Sequence, residues 1–292
     1  MEDYLVRALT TNKEIRALAV RSTGVVNQAQ RAHQTTPVAT AALGRALSGA
    51  LLMGAMIKSG DEVGLRIVGD GPLKRIIVEA NYYGETRGYV GNPQPDLMIN
   101  EQGKLDVARA IGKGQLFVTK RIGREEPYEG SVPLVSGEIG DDLTYYFTQS
   151  EQTPSAVGLG VLVDTDLSVK AAGGFVIQLL PGATEETISR LEDNLAGIKS
   201  VSRLIEEGLS PEELLEKLLA GFDFRILAKR EVIFKCKCNR ERTKELLISL
   251  SPKELQEILE EEYKIEIKCH FCGETYHFNR EEVEEVLQGE DG

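Results

Sequence analysis

Four cysteines occur in 292 residues, and all four fall in the last fifth of the chain. They form two close pairs, Cys236-Lys237-Cys238 and Cys269-His270-Phe271-Cys272, thirty residues apart. Two such pairs suit a four-thiolate zinc site better than a disulfide frame. Zinc knuckles ordinarily place two residues between paired cysteines, and the first pair here has only Lys237. In an extended strand alternate side chains share a face, so Cys236 and Cys238 could still reach one metal. Their α-carbons would then lie about 6.5–7 Å apart, at or beyond the usual disulfide range. Zinc-bound and disulfide geometries are on this reading mutually exclusive.

Size and charge narrow the setting. Residues 231–292 can scarcely build a self-sufficient core, and a structural zinc contributes about 10–16 kcal/mol of apparent binding energy at neutral pH. Folding of this segment and metal binding are therefore expected to be one equilibrium. The net charge is −12 over the chain, and residues 231–292 carry 9 basic against 16 acidic side chains. A zinc ribbon for nucleic acid needs a basic footprint, so the acid argues against that use. Lys235, Lys237, Arg240 and Lys268 flank the cysteines and offset the charge of four thiolates. His270 and His277 are alternative ligands, but the cysteine pairs are complete without them. The first residues, Met1 to Arg7, lack the basic head and apolar core of a secretory leader. The weakly polar run Ala46 to Ile57 is too short to span a bilayer. The expectation is a cytoplasmic protein, where thiols stay reduced and paired cysteines mean metal or redox chemistry.

The pattern along the chain reads as α+β: a large N-terminal domain with an antiparallel sheet and a buried helix, a helical linker, and a small C-terminal zinc-binding domain. The expected boundaries are 1–180, 181–230 and 231–292. Thr36-Pro37 opens a helix to about Ile57 that is apolar on nearly every side. Strands are expected at Val63–Ile67, Leu73–Ala80, Glu85–Val90, Leu116–Ile122, Thr144–Ser150, Gly158–Val163 and Gly174–Leu180, with a short helix at Leu105–Ile111. The stretch Asn12–Ala32 fits helix or strand. Past Pro181-Gly182 the pattern turns helical. Ile188, Leu191, Leu195 and Ile198 recur at helical spacing, and Ser210-Pro211-Glu212-Glu213 is a capping box ahead of Leu214, Leu215 and Leu218. These helices hold too little core to stand alone, so another surface, the sheet domain, should cover them. In the last domain, strands are expected at Val232–Phe234, Tyr263–Lys268 and Tyr276–Phe278. Helices are expected from Ser251 (with Leu255, Ile258 and Leu259) and from Asn279 (with Val283, Val286 and Leu287).

Spacing alone leaves three uses for the cysteine module: a permanent zinc ribbon, a redox switch, or a docking module. The wider sequence narrows them. Together with the cysteine pattern, Gly44-Arg45-Ala46-Leu47, Gly69-Asp70-Gly71-Pro72, Gly88-Tyr89-Val90, Gly103-Lys104-Leu105-Asp106-Val107, Val135-Ser136-Gly137-Glu138 and Ala171-Ala172-Gly173-Gly174-Phe175 resemble the 33-kDa heat-shock protein family of redox-regulated chaperones. The resemblance covers the whole chain.

That resemblance implies an ATP-independent holdase and no enzyme. In the reduced, inactive state Cys236, Cys238, Cys269 and Cys272 hold one Zn2+ per chain. Oxidation forms Cys236–Cys238 and Cys269–Cys272 disulfides, releases zinc, unfolds the C-terminal module and loosens the linker. Exposed apolar surface then holds unfolding or aggregation-prone clients, and the active form is a homodimer. Neither nucleic acid nor membrane is an expected partner.

Two rival readings have residues behind them. An enzyme could use the glycine-rich Gly69-Asp70-Gly71 or Gly158-Leu159-Gly160, Ser136, His33 or Asp141-Asp142. Neither glycine cluster fits a phosphate fingerprint, Ser136 lacks a nucleophile elbow, and the acidic pair reads as a solvated turn. A nucleic-acid adaptor could use a strip of Lys235, Lys237, Arg240, Arg242 and Lys244.

Overall fold

The structure is a computed structural model that describes residues 2–123, 126–198, 200–248 and 264–283. It forms two compact units, Met1–Lys235 and Cys236–Gly292. The first contains two sheets. One has five antiparallel strands in the order β10-β1-β2-β9-β8, formed by β1 (Tyr4–Thr10), β2 (Ile15–Arg21), β8 (Ser155–Val163), β9 (Val169–Leu179) and β10 (Phe224–Glu231). The other has the order β11-β5-β4-β3-β6-β7, formed by β3 (Glu62–Gly69), β4 (Arg75–Asn81), β5 (Glu85–Val90), β6 (Gly114–Arg121), β7 (Tyr128–Pro133) and the short β11 (Ile233–Phe234). Its pairs are antiparallel except β11 on β5.

Helix α2 (Pro37–Gly54) touches strands of both sheets and is buried along nearly its whole length. Its all-round apolar sequence allows this, and its glycines let neighbours approach. A β-carbon on Gly44 would stand 2.6 Å from Val26 and 2.9 Å from Val161. Around it lie α1 (Thr23–His33), α3 (Val107–Ile111) and α4 (Gly140–Gln149).

The ambiguous stretch Asn12–Ala32 resolves into β2 followed by α1. Thr144–Ser150 is not a strand. It lies within α4, despite β-prone threonine and tyrosine. Tertiary context decides. Leu143, Tyr146 and Phe147 are buried at helical spacing. The Asp142 carboxylate accepts from the backbone N–H of Val135 (2.8 Å), Ser136 (3.1 Å), Gly137 (3.3 Å) and Ile139 (3.0 Å), fixing the helix start. Asp142 is thus fully buried rather than solvated, whereas Asp141 is exposed. Strands β1, β7 and β10 have no counterpart in the sequence reading.

Beyond Leu180 come α5 (Glu185–Ala196), α6 (Val201–Glu206) and α7 (Pro211–Leu218). Thr184 caps α5 by accepting from Thr187 N–H, Ser200 caps α6, and Ser210 with Glu213 forms the reciprocal box the sequence suggests for α7. Leu191, Val201, Ile205, Leu214, Leu215 and Leu218 pack against Val6, Ala8, Ile15, Ala17, Phe175 and Ile177 on one face of the five-stranded sheet. Polar ties reinforce this. Tyr4 donates to Glu212 (2.6 Å), Lys229 pairs with Glu212 (3.0 Å), and Glu14 accepts from the Thr187 hydroxyl. The chain then returns to the sheet as β10, with Tyr4 opposite Glu231 and Thr10 opposite Phe224.

In the second unit α8 (Arg240–Ile248) follows the first cysteine pair, and β12 (Lys264–Lys268) and β13 (Thr275–Asn279) form an antiparallel hairpin around the second. A helical turn begins at Arg280, with Asn279 and Glu282 bonding reciprocally at 2.9 and 3.0 Å. The helix expected from Ser251, together with Tyr263, Val286 and Leu287, lies outside the described residues. No described helix is long and apolar enough to cross a membrane.

Candidate metal centre

The two cysteine pairs, one at the start of the second unit and one in its β-hairpin, reach one point. Cys236 and Cys238 occupy irregular backbone between β11 and α8, rather than the extended strand their spacing suggests. The last ladder bond before them runs from Lys235 N–H to Thr86 carbonyl, 2.8 Å. Cys269 and Cys272 sit in the β12–β13 turn. There Cys269 N–H donates to Glu274 carbonyl and Gly273 N–H to Cys269 carbonyl, both at 2.8 Å. Gly273 takes φ +74°, a left-handed conformation that costs glycine little, so the chain can reverse directly after Cys272.

All four Sγ atoms lie within 4.8 Å of one another. Cys236 and Cys269 sulfurs are 3.7 Å apart, and those of Cys238 and Cys272 3.3 Å. A tetrahedron of thiolates about 2.3 Å from a zinc ion has edges of about 3.8 Å, so the set has the right size. Its chemistry agrees. Burial pushes the Cys238 and Cys272 thiols above their ordinary range. Such a cluster of soft donors can ionise when a cation neutralises it. The four cysteines are the group of this kind among the described residues, and neither His270 nor His277 belongs to it. His277 instead lies 3.6 Å from Glu266.

A contact that spacing could not reveal is Tyr276, whose hydroxyl is 3.3 Å from Cys238 Sγ. This hydrogen bond, and then burial, pushes the phenol well up from its usual value, so it keeps its proton and donates. Phe278, two residues along the same strand face, is fully buried, with the Arg240 guanidinium 4.6 Å from its ring centre. Arg240 also pairs with Glu282 at 2.6 Å.

The rival sites look different in three dimensions. Arg240 is engaged by Glu282, Arg242 donates to Lys237 carbonyl (3.0 Å), and Lys235 pairs with Glu85. Three of the five cations of the supposed nucleic-acid strip thus have local roles. Gly69-Asp70-Gly71 closes a β-turn onto Ile111 and Lys113, and Gly158-Leu159-Gly160 lies inside β8; neither opens a helix. The His33 ring is 2.9 Å from Gly88 carbonyl. Ser136 sits in the loop that wraps Asp142 and bonds Glu138 N–H, 3.1 Å.

Comparison with known proteins agrees with this geometry. The family model described as Hsp33 protein matches residues 3–279. A 33 kDa chaperonin of Geobacillus kaustophilus is 54% identical over 289 residues, which cover 99% of this chain and 98% of the relative. One from Bacillus cereus is 50% identical over 99% of both chains. The crystal structure of the 33 kDa chaperonin from Thermotoga maritima superposes with a TM-score of 0.95 at 38% identity, covering 100% of this chain and 99% of that one. The chain belongs to the Hsp33 family of chaperones, and its clustered cysteines fit the zinc binding and redox regulation such a chaperone needs.

Proposed function

We propose that this protein is an ATP-independent holdase, switched on by oxidation of its cysteine cluster. The observation that carries the reading is the convergence of four sulfurs within 4.8 Å in the second unit. Cys236, Cys238, Cys269 and Cys272 hold one zinc ion in the reduced state. Bound zinc supplies no redox chemistry; it neutralises the thiolates and ties the residues before α8 to the β12–β13 turn. The described part of this unit has few fully buried apolar side chains, Ile265, Phe278 and Val283 among them, so its fold depends on that tie.

Oxidation removes the tie chemically. Two molecules of hydrogen peroxide would take four electrons from the four thiolates and four protons from solvent, leaving Cys236–Cys238 and Cys269–Cys272 disulfides and four waters. Disulfide sulfur is no longer a thiolate donor, so oxidation releases the ion and unfolds the module. The sulfur contacts of 3.7 and 3.3 Å run across the pairs, Cys236 to Cys269 and Cys238 to Cys272, and the pairing within each pair rests on the family resemblance. Unfolding beyond Lys235 then frees the chain that enters through β10 and β11. Linker helices α5–α7 loosen, and the apolar faces they share with the five-stranded sheet open to clients. The active form is a homodimer, and the cytoplasm, with its reduced thiols, is the compartment in which such a switch rests inactive.

The test follows light scattering from a thermally unfolding client. The protein is added either reduced and zinc-loaded or peroxide-treated, while a chelating dye reads released zinc. Suppression confined to the oxidised protein and accompanied by zinc release is expected. Equal suppression in both states, or none in either, would return the cluster to a permanent structural role.

A further inference from the structure

Tyr276 places a hydroxyl 3.3 Å from Cys238 Sγ. Its position is fixed on both sides. It lies in β13 opposite Ile267, one pair from the Cys269 turn, and the next residue on its face is the fully buried Phe278 under Arg240. The phenol is therefore delivered to the sulfur by a paired hairpin strand rather than by a loop. Packing does not require the hydroxyl itself, because the ring alone would fill the same space.

We propose that Tyr276 is a positioning residue that restrains Cys238: its hydroxyl bonds to the sulfur, holds it in the cluster, and lowers its reactivity toward peroxides. This deepens the switch proposed above and rests on it. In the reaction at stake, the Cys238 sulfur attacks one oxygen of a peroxide and the O–O bond breaks. The departing hydroxide gains a proton and becomes water, while the sulfur, oxidised by two electrons, becomes a sulfenic acid. A neighbouring cysteine thiolate then attacks that sulfur, an S–S bond forms, and the hydroxyl leaves as a second water once protonated. The first step needs an electron pair on sulfur. A hydrogen bond from Tyr276 engages that density and obstructs the approach on its side, so the bond must weaken before attack. A phenol is a neutral donor, so it restrains the sulfur without abolishing its reactivity, as a threshold device requires.

The test compares wild-type and Tyr276→Phe full-length proteins, each reduced and loaded with one metal per chain. Zinc-loaded protein is exposed to hydrogen peroxide, and modification of Cys238 is followed by thiol trapping and mass spectrometry. Cobalt-loaded protein is examined for its sulfur-to-cobalt charge-transfer band. Tyr276→Phe should modify Cys238 about three- to tenfold faster, the scale of one lost hydrogen bond. Its charge-transfer band should move to longer wavelength, because sulfur relieved of the donor is more electron-rich. Equal rates and an unmoved band overturn the proposal. So does a variant that fails to bind one metal, since the hydroxyl would then be a structural tie. A wild-type protein that peroxide does not oxidise overturns the switch itself, an outcome distinct from a responsive wild type matched by its variant.

Discussion

Asp142 is wholly buried, yet its carboxylate meets four backbone N–H groups from Val135 to Ile139. The loop that supplies them holds Ile139 at φ +61°, a strained setting for a β-branched residue. The carboxylate compensates that strain. Asp142→Asn, which offers one acceptor oxygen and points an amide at N–H groups, should lower stability by about 2–3 kcal/mol in urea unfolding. A loss under 0.5 kcal/mol would show that the loop closes without the charge. At the metal centre, Cys272→Ser should bind zinc far more weakly and lose hydrogen-exchange protection across β12 and β13; unchanged stoichiometry and protection would remove Cys272 from the ligand set. The cysteines were legible in sequence because ligand chemistry is carried by residue type and spacing. Asp142 was misread as half of a solvated acidic turn, because its partners are backbone groups that no sequence motif displays. Tyr276 lies 38 residues from Cys238, and only the hairpin register brings them together.

Among the elements, α7 has the most explicit attachment. Burial works against the Glu212 carboxylate, but hydrogen bonds from Tyr4 and Lys229 outweigh it and bring its pKa below the usual value of 4.5. A group whose folded pKa is depressed stabilises above its unfolded pKa, and that support is lost as pH falls through the lower folded value. The reduced protein should therefore hold α7 less firmly as pH falls below the ordinary glutamate range, and Glu212→Gln should flatten this pH dependence of urea stability. An identical acid profile in the variant would mean that other carboxylates govern it. Leu218, the last residue of the same helix, is fully buried. Leu218→Ala removes packing worth about 2–5 kcal/mol, and the expected result is faster limited proteolysis between α5 and α7 in reduced protein; wild-type cleavage rates would speak against a marginal linker. Helices α2, α3, α5 and α7 were legible from apolar patterning and helix-start residues, α6 and α8 were not, and most strands were legible from alternation. Thr144–Ser150 was not, because its β-prone side chains bury as a helix once Asp142 caps it. Strand β10 carries mostly exposed side chains and so lacks an apolar alternation to read.

On the scale of the molecule, the two units divide between Lys235 and Cys236, immediately before the first candidate ligand. The first unit carries the large cores, with α2 buried between its neighbours and the linker helices on the five-stranded sheet. The described part of the second has few buried apolar side chains and a dense sulfur cluster. The α+β class was readable from patterning, but the presence of two sheets was not, since strand order depends on long-range pairing such as β1 with β10. Under the proposed switch, this asymmetry of cores would let one unit unfold while the other persists. The most direct test of that claim is hydrogen exchange on the full chain, reduced and zinc-loaded against peroxide-oxidised. Oxidation is expected to strip protection from β12, β13 and α8 and from α5 to α7, while β2, β3, β4 and α2 keep theirs. Loss confined to the second unit, with α5 to α7 still protected, would contradict the coupling on which the chaperone switch depends.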